Sequence, residues 1–166
     1  MTNETLKGLK VAVLVTDGFE EPELTEPVKA LKDAGAQVTI ISPSSGEIQG
    51  VRHDIDKTVK IKIDRSIKDA SADEFDAVQL PGGAVNADRM RMVPEVQAFL
   101  RAMQDAGKPI AALCHAPWEL VSAGLVRGTD ADQLSHYAGR RPQCWRHLGG
   151  PGGRRGWQLG DESSAQ

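Results

Sequence analysis

The residues with the clearest chemical potential are Cys114 and His115, which are neighbours in the sequence. A thiolate attacks carbonyl carbon readily, and an imidazole beside a thiol is a common activating partner. Because adjacent side chains usually point in different directions, the sequence leaves open whether His115 accepts the thiol proton or orients the site. The simplest alternative is that Cys114 is a small buried hydrophobic residue, since free cysteines are among the most buried residue types.

The segments on either side of Cys114 predict a strand, a sharp turn and a helix. Residues 110–113 form a short apolar run after Pro109, as expected of a parallel strand covered on both faces. Pro117 suits the first turn of a helix, and Gly124 suits its end. Cys114 therefore falls at the carboxyl edge of the sheet, the usual ligand side of an open α/β fold. The N-terminus of that helix would also favour a thiolate, so we expect the pKa of Cys114 to lie below the ordinary value of about 8.5.

Four stretches of the sequence together resemble the ThiJ/PfpI superfamily, in its PfpI intracellular protease and general stress protein branch. Residues 112–118 read Ala-Leu-Cys-His-Ala-Pro-Trp and are similar to the nucleophile turn of that family. The further matches are Thr-Asp-Gly-Phe-Glu-Glu-Pro-Glu-Leu at 16–24, Phe-Asp-Ala-Val-Gln-Leu-Pro-Gly-Gly at 75–83 and Leu-Val-Ser-Ala-Gly-Leu-Val at 120–126. The likeness extends from about residue 10 to residue 128.

The order of the predicted elements indicates an α/β protein. Residues 10–15 predict a buried strand, residues 20–34 a helix and residues 37–41 a second strand. Pro27 predicts a kink or a late start of that helix. A β–α–β beginning predicts a doubly wound, mostly parallel sheet with helices on both faces. The resemblance implies the same fold, a flavodoxin-like domain similar to the class I glutamine amidotransferases.

The middle of the chain predicts the rest of the sheet and its connections. Residues 47–52 and 58–63 predict a side hairpin or sheet edge, which by the resemblance lies near a dimer interface. Residues 76–80 predict a third central strand, and residues 81–83 a tight turn after it. The helical predictions are a turn at residues 87–91 and a longer helix at residues 94–106.

The predicted site combines Cys114 as the nucleophile with backbone groups that stabilise negative charge. A thiolate that attacks a carbonyl group produces an oxyanion, which is usually held by a pair of N–H donors. The candidate donors are the backbone N–H of His115 and an N–H from Gly82 or Gly83, because both turns follow central strands at the same edge of the sheet.

Two acidic residues enter the predicted site through the resemblance. The family's glutamate corresponds to Glu23, whose carboxyl group would have to be protonated to donate a hydrogen bond to the thiolate. Asp88 matches the position where the protease branch carries an acidic partner for the histidine, contributed across a subunit interface. The resemblance thus implies a triad of Cys114, His115 and Asp88 that is complete only in an oligomer. The structural alternative for Glu23 is a solvated helix face.

The resemblance implies a cysteine-dependent stress-response hydrolase that acts on carbonyl substrates. The family's chemistries include peptide hydrolysis, removal of glyoxal-type adducts from proteins and direct glyoxalase action. A different possibility is a redox sensor or chaperone-like protein in which Cys114 is oxidised without turnover. The expected partners are a second copy, as a homodimer or higher oligomer, and small carbonyl compounds or damaged proteins. We expect no cofactor and no metal, since the sequence has no nicotinamide, flavin or phosphate motif.

Composition limits the remaining classes of partner and compartment. The net charge of -3 argues against nucleic acid as the main partner. No apolar run approaches the roughly 20 residues that a membrane span needs, and the first residues lack the apolar core of a signal peptide. Cys114 and Cys144 are too few for a disulfide framework. We therefore expect a cytoplasmic protein with no membrane contact.

The character of the sequence changes after residue 128. We expect residues 1–128 to form the ThiJ/PfpI-type domain and residues 129–166 to be an atypical Gly/Arg-rich tail. A disordered linker and an RNA-contacting tail are two interpretations. We favour a third, that the tail is an out-of-frame translation. A back-translation shifted forward by one nucleotide permits a string containing TWVDQEVVVDGNW, which resembles the family's C-terminal part.

Overall fold

The computed structural model describes residues 5–126 of the 166-residue chain. The strands of this part are β1 (Lys10–Leu14), β2 (Phe19–Glu20), β3 (Gln37–Ser42), β4 (Glu47–Arg52), β5 (Asp56–Lys62), β6 (Arg65–Ser66), β7 (Ala77–Leu80) and β8 (Ile110–Ala112). Its helices are α1 (Glu21–Asp33), α2 (Ala84–Met90), α3 (Pro94–Asp105) and α4 (Pro117–Ser122). Short 3₁₀ turns at Ile67–Asp69 and Ala72–Glu74 lie between β6 and β7.

The main sheet contains β6, β3, β1, β7 and β8 in that order, and each of its pairings is parallel. Its middle strand β1 is buried at every position from Val11 to Leu14. Successive side chains of a strand point to opposite faces, so this continuous burial means that both faces are covered. The predicted flavodoxin-like α/β fold with a mostly parallel sheet is therefore confirmed.

Apolar side chains from several elements form the core on one face of the sheet. Its buried members are Val13, Val15, Phe19, Leu24, Ile40 and Ile48. The helix α3 buries a second apolar stripe made of Val96, Phe99, Leu100 and Met103. Full burial of one such side chain contributes about 1.5–3 kcal/mol, so these two sets hold the strands that carry the site.

The predicted side hairpin is confirmed as the antiparallel pair β4 and β5, to which β2 adds in parallel. Its turn bends through His53 and Asp54, which both have positive φ. The Glu20 carboxylate accepts hydrogen bonds from the N–H groups of these two residues, at 3.0 and 3.3 Å. The Asp54 carboxylate in turn accepts the N–H of Ala84 at 2.7 Å, which joins the hairpin turn to the start of α2.

The helix boundaries differ from the predicted ones at two points. The helix α1 begins at Glu21 and continues through Pro27, so the late start is wrong. The helix α2 begins at Ala84, three residues before the predicted start at residue 87. The reason is Gly83, whose φ of 93° turns the chain directly from the end of β7 into the helix.

The expectations for residues 129–166 lie outside the described residues and stay predictions. Among the helices of residues 5–126, none has the length and apolar character that crossing a membrane requires.

Candidate active site

The turns after β1, β7 and β8 meet at one edge of the sheet, because these neighbouring strands are parallel. Cys114 follows β8, and Gly82 and Gly83 follow β7. Glu23 lies in the first turn of α1, close to the end of β1. The structure thus brings the predicted nucleophile, the predicted backbone donors and the predicted carboxyl group together.

Cys114 occupies a strained turn between β8 and α4. Its φ is 52°, a left-handed conformation that costs a non-glycine residue on the order of 1–3 kcal/mol. The turn places the Sγ atom 3.2 Å from Nδ1 of His115 and directs the N–H groups of Gly83 and His115 towards the sulfur. Although adjacent in sequence, the two side chains therefore contact each other.

Glu23 is held against both the β7 turn and the cysteine. Its Oε2 atom accepts the N–H of Gly82 at 2.8 Å, and its carboxyl group is hydrogen-bonded to the Cys114 side chain. Burial raises the pKa of Glu23, while the bonds from Gly82 and Cys114 oppose that rise. The alternative that Glu23 lies on a solvated helix face does not describe this structure.

The expected lowering of the cysteine pKa is wrong for this chain. Cys114 is exposed as a residue, but partial desolvation of its sulfur and, after it, the negative charge of Glu23 raise the pKa of Cys114 to about 11, against the opposing N–H bonds of Gly83 and His115. The helix α4 spans only Pro117–Ser122 and is therefore short. Desolvation and a neighbouring carboxylate both penalise the charged form of a thiol.

Glu23 and Cys114 therefore titrate as a coupled pair, because the charge of each one affects the pKa of the other. Glu23 is already ionised when its charge raises the pKa of the thiol, so the value of about 11 describes the loss of the second proton of the pair. The first proton leaves at lower pH, mainly from Glu23, and the thiol that keeps its proton donates a hydrogen bond to the carboxylate. A thiolate at neutral pH thus requires that Glu23 hold this proton.

Gly82 is required by the close approach of the site residues. A Cβ atom at this position would overlap Oε2 of Glu23 and lie 2.5 Å from Cβ of Cys114 and 3.0 Å from the carbonyl oxygen of Leu113. The Gly82 N–H is already bonded to Glu23. Of the two glycines left open by the sequence, Gly83 is therefore the one whose N–H faces the sulfur.

Residues 9–137 match the DJ-1/PfpI family. The chain belongs to the DJ-1/PfpI family. Among its relatives, YraA of Bacillus subtilis, named as a candidate cysteine protease, is 40% identical over 73% of this chain and 69% of its own length. Protein/nucleic acid deglycase 2 of Escherichia coli is 38% identical over 72% of this chain and 67% of its own length.

The solved structure of oxidized DJ-1 from Toxoplasma gondii has the same fold as this DJ-1/PfpI chain. Its sequence is 31% identical, and the TM-score is 0.64 over 73% of this chain. This chain spans 64% of the length of that structure, just under two thirds.

The single DJ-1/PfpI chain does not bring Asp88 to His115. Asp88 lies on α2 with an exposed side chain, and its Oδ1 atom accepts hydrogen bonds from Arg91 at 2.9 and 2.7 Å. Within residues 5–126, the ring of His115 contacts the Cys114 sulfur and the indole of Trp118, with ring centroids 5.0 Å apart. The triad therefore stays a prediction that concerns an assembled form of the protein.

Sequence reasoning missed Asn86, which connects two of the turns of this site. Its fully buried side chain accepts the N–H of Thr16 at 2.8 Å, after β1. It also donates to the carbonyl oxygens of Pro81 and Gly82, at 2.9 and 3.1 Å, after β7. Asparagine is unfavourable inside a helix, so its place in the first turns of α2 was the available signal.

Proposed function

We propose that this chain is a cysteine-dependent hydrolase that acts on carbonyl compounds, with Cys114 as its nucleophile. The observation that carries the proposal is the set of groups around Sγ: the Glu23 carboxyl, Nδ1 of His115 and two backbone N–H groups. A nucleophile, a proton holder and a pair of charge-stabilising donors are the parts that acyl transfer needs.

The first step is activation of the thiol. The Sγ proton passes to the Glu23 carboxylate, which accepts a proton more readily than an ordinary carboxylate because burial raises the pKa of Glu23. The protonated carboxyl then donates a hydrogen bond to the thiolate. Nδ1 of His115 lies 3.2 Å from the sulfur and orients it.

The second step is attack on the carbonyl carbon. A bond forms between Sγ and carbon while the π electrons of the carbonyl group move to its oxygen. The N–H groups of Gly83 and His115 are placed to stabilise that oxyanion, as they point towards Sγ in the free chain. For a peptide bond, the C–N bond then breaks, the amine leaves with the proton from Glu23, and water hydrolyses the thioester.

The names of relatives support two substrate classes. The Escherichia coli relative is named a deglycase, and YraA is named as a candidate cysteine protease. Amines and thiols that carry glyoxal-type adducts are our preferred substrates, and peptides are the alternative. The stress-response role that the resemblance implies belongs to the same proposal.

A redox sensor is the second candidate function. Cys114 is exposed, and a relative of known structure is described as oxidized. A sulfinate at Sγ would find donors in the N–H groups of Gly83 and His115 and in a protonated Glu23.

The test compares the turnover of the wild type with that of variants in which one of the two cysteines is replaced. Three rates are measured for the wild type, Cys114→Ser and Cys144→Ser. They are the consumption of methylglyoxal, the release of free N-acetylcysteine from its methylglyoxal adduct, and the cleavage of a peptide. We expect Cys114→Ser to lose turnover by at least about 10³-fold, and Cys144→Ser to keep it. Full activity in Cys114→Ser would refute the proposal. A wild type that protects cells through Cys114 but turns over none of the three substrates would favour the sensor.

A further inference from the structure

The backbone carbonyl of Glu23 lacks its usual helical partner. In an α-helix the carbonyl of one residue accepts the N–H of the residue four positions later. For Glu23 that residue is Pro27, which lies inside α1 and has no N–H. A proline ring also clashes with the carbonyl four residues before it, so the Glu23 carbonyl needs a donor from outside the helix.

A side chain from the central sheet supplies the missing donor. Nε2 of Gln79 donates to the Glu23 carbonyl oxygen at 3.0 Å. Gln79 lies in β7 between the buried apolar residues Val78 and Leu80 and is itself only 5% exposed. Its amide thus reaches from the middle of the sheet to the first turn of α1.

The burial of Gln79 carries a cost. Within the described residues its Oε1 atom has no hydrogen-bond partner. An unsatisfied buried acceptor is destabilising, and an apolar residue would fit a central parallel strand without it. The amide is therefore poorly explained by packing alone.

We propose that Gln79 is a positioning residue for the Glu23 carboxyl, an inference that rests on the proposed role of Glu23 as proton holder for Cys114. The backbone carbonyl and the side-chain carboxyl of Glu23 both bond to the segment formed by β7 and the turn after it. Its carbonyl is bonded to Gln79 in β7, and its carboxyl is bonded to the N–H of Gly82 in the turn that follows. The two bonds fix the direction in which the carboxyl points, which is towards the sulfur.

The experiment measures how the reactivity of Cys114 depends on pH, which reports on the Cys114–Glu23 pair without requiring turnover. The full chain is alkylated with iodoacetamide from pH 6 to pH 12, a range that includes the pKa of about 11 of the Cys114 thiol, and the rate at Cys114 is followed by mass spectrometry of its peptide. Glu23→Gln shows how the rate profile moves when the carboxyl can no longer hold the proton. We expect Gln79→Leu to move the midpoint in the same direction by about half a pH unit or more.

The helix itself offers a rescue. Pro27→Ala restores an N–H that can bond to the Glu23 carbonyl inside α1. We expect Pro27→Ala alone to leave the profile near that of the wild type, and Pro27→Ala combined with Gln79→Leu to recover at least half of the shift. If Gln79→Leu is poorly folded, Gln79→Met takes its place, because methionine keeps the length of the side chain but has no donor, and it should move the midpoint by the same amount.

Gln97→Leu is the matched control. Its Nε2 also donates to a backbone carbonyl, that of Arg91 at 2.9 Å, which follows α2. Its alkylation profile should equal that of the wild type.

The outcomes separate the two proposals. Gln79 variants that unfold at lower urea concentration but keep the wild-type profile would overturn the positioning role, because the bond would then be structural only. A failure of Pro27→Ala to rescue would overturn it as well. Absence of turnover in a wild type whose profile responds to Gln79→Leu would refute the proposed function and leave the positioning role standing.

Discussion

Glu119, on the helix that follows Cys114, is a buried acid that the proposed chemistry does not use. It is 0% exposed, and within the described residues neither of its carboxyl oxygens has a hydrogen-bond partner. Burial raises the pKa of Glu119 well above its ordinary value. At the scale of single residues, this buried carboxyl group therefore lowers the free energy of unfolding.

The sign of its pH effect follows from proton binding. An acid whose pKa is higher in the folded state keeps its proton while the unfolded chain loses it, so folding becomes less favourable as pH rises above about 4.3. We expect Glu119→Leu to increase the free energy of unfolding at pH 8 by about 1–3 kcal/mol, because it removes two unsatisfied oxygens. Urea unfolding at pH 5 and pH 8 measures the effect, which should be smaller at pH 5.

Glu119→Gln is the control for charge. It should remove the part of the pH dependence that Glu119 contributes but give a smaller gain in stability, since a buried amide still needs partners. A leucine variant that is less stable than the wild type at pH 8 would contradict this explanation.

At the scale of elements, the turn from β7 into α2 depends on Gly83. A Cβ atom there would overlap the carbonyl oxygen of Gly18 and lie 2.8 Å from the N–H nitrogen of Glu20 and 2.9 Å from Cα of Phe19. These atoms are backbone and cannot rotate away. The glycine is thus required both by its positive φ and by the close approach of the chain around β2.

We expect Gly83→Ala to destabilise the protein by about 3 kcal/mol or more, since strain and overlap add. Gly46→Ala is the matched control, because Gly46 also has positive φ, 81°, but its Cβ would meet nothing within 4 Å. That variant should lose only about 1 kcal/mol, the cost of the backbone conformation alone. If thermal unfolding shows that Gly83→Ala and Gly46→Ala lose equal stability, the overlap at Gly83 is relieved by a shift of the backbone, which would contradict this prediction.

At the scale of the whole molecule, the resemblance predicts a site that is completed by a second copy of the chain. In one chain the Asp88 carboxylate is bonded to Arg91. The triad that the resemblance implies would instead pair it with His115 of a second copy, in a homodimer or higher oligomer. A shared site of this kind makes a prediction that a single-chain site does not.

Activity should be recovered when two inactive variants are mixed. Cys114→Ser lacks the nucleophile, and we expect Asp88→Asn to lose about 10- to 100-fold in kcat while light scattering shows an unchanged assembly. A mixed dimer of the two would contain one complete site, with Cys114 from one copy and Asp88 from the other. Asp105→Asn, an exposed acid at the end of α3, is the control. Mixtures that show no recovery would contradict the shared triad.

The sequence by itself determined the fold class and the main candidate residues. Alternating runs of strand and helix residues predict a parallel sheet, and parallel strands end at one edge, so Cys114, Gly82 and Gly83 had to lie near each other. The motif around Cys114 and the stretches at residues 16–24, 75–83 and 120–126 carried the resemblance, which in turn implied the role of Glu23. These features are local or follow from strand order, which is why a linear pattern contains them.

Only the tertiary structure decided the electrostatics and the connections between turns. The fall expected for the pKa of Cys114 became a rise, because burial and the Glu23 charge depend on what packs around the thiol. The bonds of Asn86 to Thr16 and of Gln79 to Glu23 join residues that are 70 and 56 positions apart. Hydrophobic periodicity and motif spacing do not predict which residues so far apart in the sequence will bond, because those contacts depend on how the helices pack on the sheet.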